Sequence, residues 1–159
     1  MAELDSPAET GLVAEWRDLL ARHAATTCAL DRELGEKHDL GVSEFEVLER
    51  LVEERDSAVG HQLRVQELAD TVHLSQSALS RLIGRLEKAG LVTRTMCPND
   101  RRGIQVALTE AGCRRYAEAR PLHREVLART LGAGGVGVGG VGLGGAVGGE
   151  GSAPTCRVD

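Results

Sequence analysis

Hydrophobic residues recur at helical spacing through most of the first 130 residues. Residues 12–34 carry an apolar position every three or four residues, without Gly or Pro, which predicts one long amphipathic helix. The residues expected to break it are Gly35, His38, Asp39 and Gly41. A second helix is predicted over residues 43–55, because Ser43 and Glu46 have the spacing of a capping box. The chain therefore begins with two consecutive helices.

The next segment has the densest pattern. A short helix is predicted over residues 65–71, followed by a turn, and Ser75 is a suitable N-cap for a longer helix that ends near Ala89. Gly90 stands where a helix-terminating glycine is expected. The longer helix has an apolar stripe made of Ala78, Leu79, Leu82, Ile83 and Leu86.

Alternating branched and polar residues then predict two strands, at 91–96 and 104–108. The turn-rich, basic stretch 97–103 between them predicts the loop of a β-hairpin. Thr109 is the expected N-cap of a last helix, in which Pro121 should cause a kink or a break.

Two helices joined by a tight turn and followed by a hairpin predict a winged helix-turn-helix lobe. The expected fold class is mainly α with a small β-hairpin wing, plus a helical region from the first and last helices. The second helix of the lobe could enter the DNA major groove, where short polar side chains and arginines read base edges and contact phosphates. Its candidate DNA-binding residues are Ser75, Gln76, Ser77, Ser80, Arg81 and Arg85.

The hairpin tip supplies a second candidate DNA contact. Asn99, Arg101 and Arg102 lie at a turn between Pro98 and Gly103, where they have no role in burial. Arginines at such a tip suit a narrow, electronegative minor groove. The alternative is a helical hairpin whose polar face is merely solvated; the basic tip favours DNA binding.

The charge distribution agrees with a DNA-facing middle segment. The chain of 159 residues has a net charge of −5. Residues 1–61 carry 6 basic and 15 acidic side chains, whereas residues 62–120 carry 10 basic and 6 acidic ones. The acidic total therefore does not exclude a polyanionic partner, which would meet the basic middle of the chain.

The remaining composition excludes several classes of function. The four cysteines form no C-x-x-C pair, and no nucleophile with a base, phosphate loop or metal set is present, so no enzyme, cofactor or metal is expected. The acidic N-terminus has no signal-peptide pattern, which predicts a cytoplasmic protein with reduced thiols. Cys28 is interpreted as a packing residue rather than a redox switch, and Trp16 as an interface anchor or an aromatic-ligand contact.

Several segments also resemble the MarR family of bacterial transcription regulators. They are residues 64–70, residues 74–92, Asn99-Asp-Arg-Arg-Gly and Leu108-Thr-Glu-Ala-Gly, and the likeness extends over about residues 12–130. The resemblance implies that Asp100 makes an intrachain salt bridge that orients the wing and that Arg102 enters the minor groove. It also implies a homodimer on a pseudo-palindromic double-stranded operator, with a pocket for a small-molecule effector between the helical region and the DNA-binding lobe.

The chain departs from that family after Leu131. Twelve of its 20 glycines lie between Gly132 and Gly151, where a final dimerisation helix is expected. The expected organisation is a disordered segment 1–11, a domain over 12–131 with helical dimerisation elements at about 12–34 and 109–131 and the winged lobe at about 43–108, and a flexible tail 132–159. The leading hypothesis is a DNA-binding repressor without a membrane partner. A winged-helix module that binds protein instead of DNA is the alternative.

Overall fold

The computed structural model describes residues 7–56, 63–97 and 100–132, and at 7, 8, 97 and 100–103 it describes the backbone alone. These residues form five helices and a three-stranded sheet. The helices are α1 (Pro7–His38), α2 (Val42–Asp56), α3 (Val65–Thr71), α4 (Gln76–Lys88) and α5 (Glu110–Gly132). The strands are β1 (Leu63–Arg64), β2 (Val92–Cys97) and β3 (Asp100–Leu108). The predicted fold class, mainly α with a β-hairpin, is confirmed.

The sheet has the order β1-β3-β2, and both pairs of strands are antiparallel. The hairpin of β2 and β3 is confirmed, with Val92 opposite Leu108. However, β2 extends to Cys97 and β3 begins at Asp100, so the expectation of a loop over 97–103 is wrong for 97 and for 100–103. A register shift after Met96 lets the strand pairing continue toward the tip. β1, which pairs Leu63 with Val106, was not predicted, because two residues are too few to show an alternating pattern.

Helix α2 contacts every other helix and β3, so it lies at the centre of the fold. Its Phe45, Val47 and Leu48 are completely buried, and they belong to one hydrophobic cluster that also contains the apolar stripe of α4. Burying such side chains is worth about 1.5–3 kcal/mol each. Helix α2 thus packs against the buried side of the helix-turn-helix.

The first helix is longer than predicted at both ends. It begins at Pro7, so the expected disorder is wrong for residues 7–11, and it continues through Gly35 to His38. One glycine inside a helix costs only about 1 kcal/mol, which the burial of neighbouring Leu34 offsets. The helix ends at His38, and the next residue, Asp39, has a φ of 52° in the left-handed region that commonly follows a helix.

One stripe of α1 is apolar and exposed. Its members, which we call the α1 stripe, are Leu12, Val13, Trp16, Leu19 and Leu20, each between 45% and 66% exposed. Side chains of this size rarely form a continuous exposed row on a monomer. The stripe therefore marks a surface that is suited to a partner.

The start of α2 corrects the predicted capping box. The helix begins at Val42, and the amide of Gly41 donates to Glu44 Oε2 at 3.0 Å, while the amide of Val42 donates to Asp31 Oδ1 at 2.8 Å. Ser43 therefore lies inside the first turn of α2 rather than at its N-cap, so the capping box predicted between Ser43 and Glu46 does not mark the start of the helix.

The segment Leu108-Thr-Glu-Ala-Gly forms a junction between α4, the hairpin and α5. Thr109 is the predicted N-cap: its Oγ1 accepts from the amide of Gly112 at 3.0 Å and donates to the carbonyl of Gly90 at 2.7 Å. Its own amide donates to the carbonyl of Leu91 at 3.1 Å. A Cβ placed on Gly112 would lie only 2.0 Å from that same oxygen. From this junction α5 runs through Pro121 without the predicted break.

We expect Gly112→Ala to lower the free energy of unfolding by about 1–3 kcal/mol, because the new methyl group would force α5 away from Leu91. Chemical denaturation at one fixed protein concentration measures the change. The control is Gly35→Ala, since a Cβ at Gly35 meets no atom within 4 Å and should stabilise α1 by about 0.5–1 kcal/mol. Equal effects of the two substitutions would contradict the role given to Gly112.

Candidate nucleic-acid interface

Helix α4 presents the six predicted contact residues at its surface. Ser75 is the N-cap, as predicted, and accepts from the amide of Ala78 at 3.3 Å. Leu79, Leu82 and Ile83 face the core, while Ala78 is only half-buried. The exposed residues on the other side of the helix include all six that were predicted to contact DNA, namely Ser75, Gln76, Ser77, Ser80, Arg81 and Arg85.

Arg85 differs from the other five because α2 holds it. Its Nε donates to Glu44 Oε1 at 2.9 Å, and its side chain is still 63% exposed. The second oxygen of Glu44 accepts from Gly41. Sequence reasoning did not indicate Glu44, since its partner on α4 lies 41 positions away.

A second arginine, Arg94 on β2, fixes the hairpin against α4. Its Nη2 donates to the carbonyl of Ser80 at 3.1 Å, and its Nε lies 3.2 Å from Glu87 Oε2. The bond to Ser80 reaches the backbone of the helix turn that carries Ser77 and Arg81. Because Arg94 lies in an ordinary strand pattern, nothing in its sequence context indicates that it sets the position of the hairpin relative to this helix.

The tip of the hairpin contains the remaining predicted residues. Asn99 lies outside the described residues. Asp100, Arg101 and Arg102 belong to the backbone of β3, next to the end of β2, while their side chains are not part of the description. The DNA contacts and the wing-orienting salt bridge expected of them therefore stay predictions.

A cavity of about 650 Å³ lies behind this surface, between α1, α5, the start of α2 and the α3–α4 turn. This volume is within the range of about 300–1,000 Å³ that small-molecule sites occupy. Its polar lining includes the basic side chains Arg22, His23, Arg50 and His73 and the carboxylate of Glu46. Trp16 does not line this cavity, which contradicts its interpretation as a ligand contact there.

Buried polar groups join α2 to α5 beside the cavity. Glu49, only 7% exposed, accepts from the hydroxyl of Tyr116 at 3.0 Å and forms an ion pair with Arg124. Arg124 Nη1 also lies 2.8 Å from Nδ1 of His123, whose ring stacks on Phe45 at 4.1 Å between centroids. Burial and the neighbouring Glu49 carboxylate raise the pKa of Tyr116 to about 12.

The cavity residue Glu46 has the opposite shift. The ring of His123, whose Nε2 lies 3.5 Å from Glu46 Oε1, holds the pKa of Glu46 below its ordinary value. Within the described ranges, no group of three or more His, Cys, Asp or Glu side chains could hold a metal ion. None of the helices described there combines the length and hydrophobicity needed to cross a membrane.

The fold and this surface define a winged helix-turn-helix protein of the class that regulates transcription. A sequence model of the MarR family matches residues 38–103. AbsC, a MarR family transcriptional regulator from Streptomyces coelicolor, has 30% sequence identity to this chain, and its crystal structure matches the fold with a TM-score of 0.69. The match covers 83% of this chain and 84% of AbsC. The chain belongs to the MarR family.

Two further relatives extend the comparison. Sco3205, a MarR family transcriptional regulator from Streptomyces coelicolor whose crystal structure is a complex with DNA, is 26% identical with a TM-score of 0.70; the match covers 84% of this chain and 79% of Sco3205. The HTH-type transcriptional repressor MdtR of Bacillus subtilis is 33% identical over 69 residues. That match spans 43% of this chain and 44% of MdtR.

The chain has one tyrosine, so the raised pKa of Tyr116 can be measured directly. We expect tyrosinate absorbance of the folded protein to rise near pH 12, against about 10 for the unfolded chain. Because the folded state retains the proton longer, the stabilisation from this group is complete below pH 10 and is lost as the pH rises toward 12. Glu49→Gln should lower the folded pKa, since it removes the adjacent negative charge. A native titration near pH 10 would contradict the buried contact.

Proposed function

We propose that the protein is a sequence-specific transcriptional repressor that acts in the cytoplasm and binds a pseudo-palindromic operator as a homodimer. The observation that carries this proposal is the exposed polar and cationic surface of α4, fixed by Arg94 beside the β2–β3 hairpin. An α-helix fits the major groove, and a narrow hairpin can contact the adjacent minor groove. We refer to α4 as the recognition helix and to the hairpin as the wing.

The proposed contacts follow from position along the recognition helix. Gln76 and Ser77 are exposed in its first turn, which is the part of such a helix that contacts base edges. A glutamine amide can pair with adenine through two hydrogen bonds, and Arg81, one turn further on, can reach guanine or a phosphate. The dipole of the helix N-terminus adds attraction for phosphate.

The wing would supply the minor-groove contact through Arg101 and Arg102, with Asn99 at the same tip and Asp100 orienting it. This assignment rests on the resemblance to the family and on the position of these residues at the end of a two-stranded hairpin. Narrow minor grooves have enhanced negative potential and attract arginine. The recognition helix would then recognise base edges in the major groove, while the wing would recognise the shape of the minor groove.

Dimerisation would cover the α1 stripe. A second copy of the chain related by two-fold symmetry is the simplest partner for an apolar helix face. The proposed interface combines α1 with α5, which pack against each other in the protomer. Two-fold symmetry would place the two recognition helices about one DNA turn apart, near 34 Å.

A small molecule in the cavity would regulate the repressor. The cavity lies between α1 and α5 on one side and α2 and the turn before the recognition helix on the other. A ligand there touches both the proposed dimerisation helices and the DNA-binding lobe. It would release DNA if it prefers a different arrangement of these parts.

We expect Arg102→Ala to weaken binding to the DNA upstream of the protein's own coding sequence about tenfold. This is about 1.4 kcal/mol, within the range of roughly 1–3 kcal/mol for one specific contact. Fluorescence anisotropy with that duplex and with an unrelated duplex measures specific and non-specific affinity. Arg114→Ala is the control, since Arg114 lies on α5 with 68% exposure and removes the same charge away from the proposed DNA surface. Equal affinities of the two variants would contradict the wing assignment, and no preference of the wild type for any upstream sequence would contradict the function.

The oligomeric state has its own test. Sedimentation at micromolar concentration should show a dimer, and Trp16→Ala should raise the dimer dissociation constant at least tenfold, because large aromatic side chains dominate such interfaces. The control is Asp18→Ala, on the side of α1 opposite the α1 stripe. A wild-type monomer under these conditions would remove the basis for two half-sites.

A further inference from the structure

We infer that Glu44 is a positioning residue, which holds Arg85 in the orientation needed to bind a DNA phosphate. This inference rests on the proposed DNA-binding function and assigns a role to a residue outside the recognition helix and the wing. It starts from one observation: the exposed side of α4 carries an arginine whose Nε, rather than its terminal nitrogens, donates to a carboxylate of another helix.

The carboxylate of Glu44 is itself fixed. It is 17% exposed, and its Oε2 accepts from the amide of Gly41 at 3.0 Å, one turn earlier in the chain. Oε1 is thereby directed at Arg85 Nε, 2.9 Å away. Because the Glu44 carboxylate is fixed in this way, it restricts the rotamers of Arg85. Arg85 therefore has less side-chain entropy left to lose when it binds a ligand.

The pairing leaves the outer edge of the guanidinium available. Arg85 remains 63% exposed, and among the described residues no hydrogen bond occupies its Nη1 or Nη2. These two nitrogens form the fork that binds a phosphate through two parallel hydrogen bonds. Glu44 therefore occupies one edge of the arginine and leaves this fork free.

The position of Arg85 favours a phosphate over a base. It lies ten residues after the N-cap Ser75, in the third turn of the recognition helix, whereas base edges are reached by residues near the helix start. Through its ion pair with Glu44, Arg85 also contacts the first turn of α2, which lies at the edge of the proposed DNA-binding surface. A contact there would fix the register of the protein on the duplex without reading sequence.

The competing role of Glu44 predicts the opposite sign. If the carboxylate only neutralised Arg85, removal of its charge would strengthen DNA binding, because a negative group near phosphates would be lost. A positioning role predicts weaker binding after the same change. The sign of the effect therefore decides between the two.

The test is Glu44→Gln, measured by anisotropy with the operator duplex and an unrelated duplex over a series of salt concentrations. We expect roughly threefold weaker binding to both duplexes, within the range of a surface ion pair, and a salt slope smaller by up to about one. The matched control is Glu53→Gln, which removes the same charge from an exposed position of α2, where Glu53 pairs with Arg50. It should leave affinity equal or slightly higher.

Repeating Glu44→Gln in an Arg85→Ala background completes the test. In that background, Glu44→Gln should cause no further loss of DNA affinity. Thermal unfolding identifies any variant that has lost its fold. Stronger binding by Glu44→Gln, or a loss that persists without Arg85, would overturn the inference. Such results are distinct from failure of the proposed function, in which the wild type itself would show no preference for the operator.

Discussion

The close approach of α5 to the carbonyl of Leu91 is the contact on which the arrangement of the lobe depends. The chain leaves α4 at Gly90, whose φ of 73° turns it into β2, and returns from β3 to α5 at Thr109. Thr109 and Gly112 meet that turn within hydrogen-bonding and van der Waals distance. The end of the recognition helix, both strands of the wing and the start of α5 therefore share one small junction, so that none of them can rotate without disturbing the others.

Helix α2 makes the second set of constraints, through two carboxylates that face different partners. Glu44 holds Arg85 on the recognition helix, and Glu49 holds Tyr116 and Arg124 on α5. The acidic first part of the chain therefore does more than face away from DNA. Three of its acidic side chains, Glu33, Glu44 and Glu49, pair with arginines from the later part. Among the described residues, Arg81 of α4 forms no such ion pair and remains exposed.

The elements that sequence reasoning predicted are those defined by local chemistry. Ser75, Gly90 and Thr109 each act within a few residues of their own position, and the structure confirms all three. The apolar stripe of α4 was predictable for the same reason, because helical periodicity is a local property. The six candidate residues on the outer side of that helix followed from the stripe, and the structure places all six at the surface.

What could not be predicted depends on partners that are distant in the sequence. The start of α2 was misplaced because Asp31 of α1 competes for the amide of Val42, which no pattern within α2 reveals. Arg94 and Glu44 gave no signal because a charged residue in a strand or helix is usually solvated. Only the fold brings Arg94 to the carbonyl of Ser80 and Glu44 to the recognition helix.

The first turn of α2 connects these observations to regulation. Val42 and Ser43 line the cavity, and Glu44, the next residue, binds Arg85. A displacement of this turn by an occupant of the cavity would move the acceptor that orients Arg85, without any change inside the recognition helix. Because coupling between two sites is reciprocal, DNA bound through Arg85 would in turn disfavour the same occupant. The cavity wall and the carboxylate that binds Arg85 thus share one short helical turn, which would link the two sites in the proposed function.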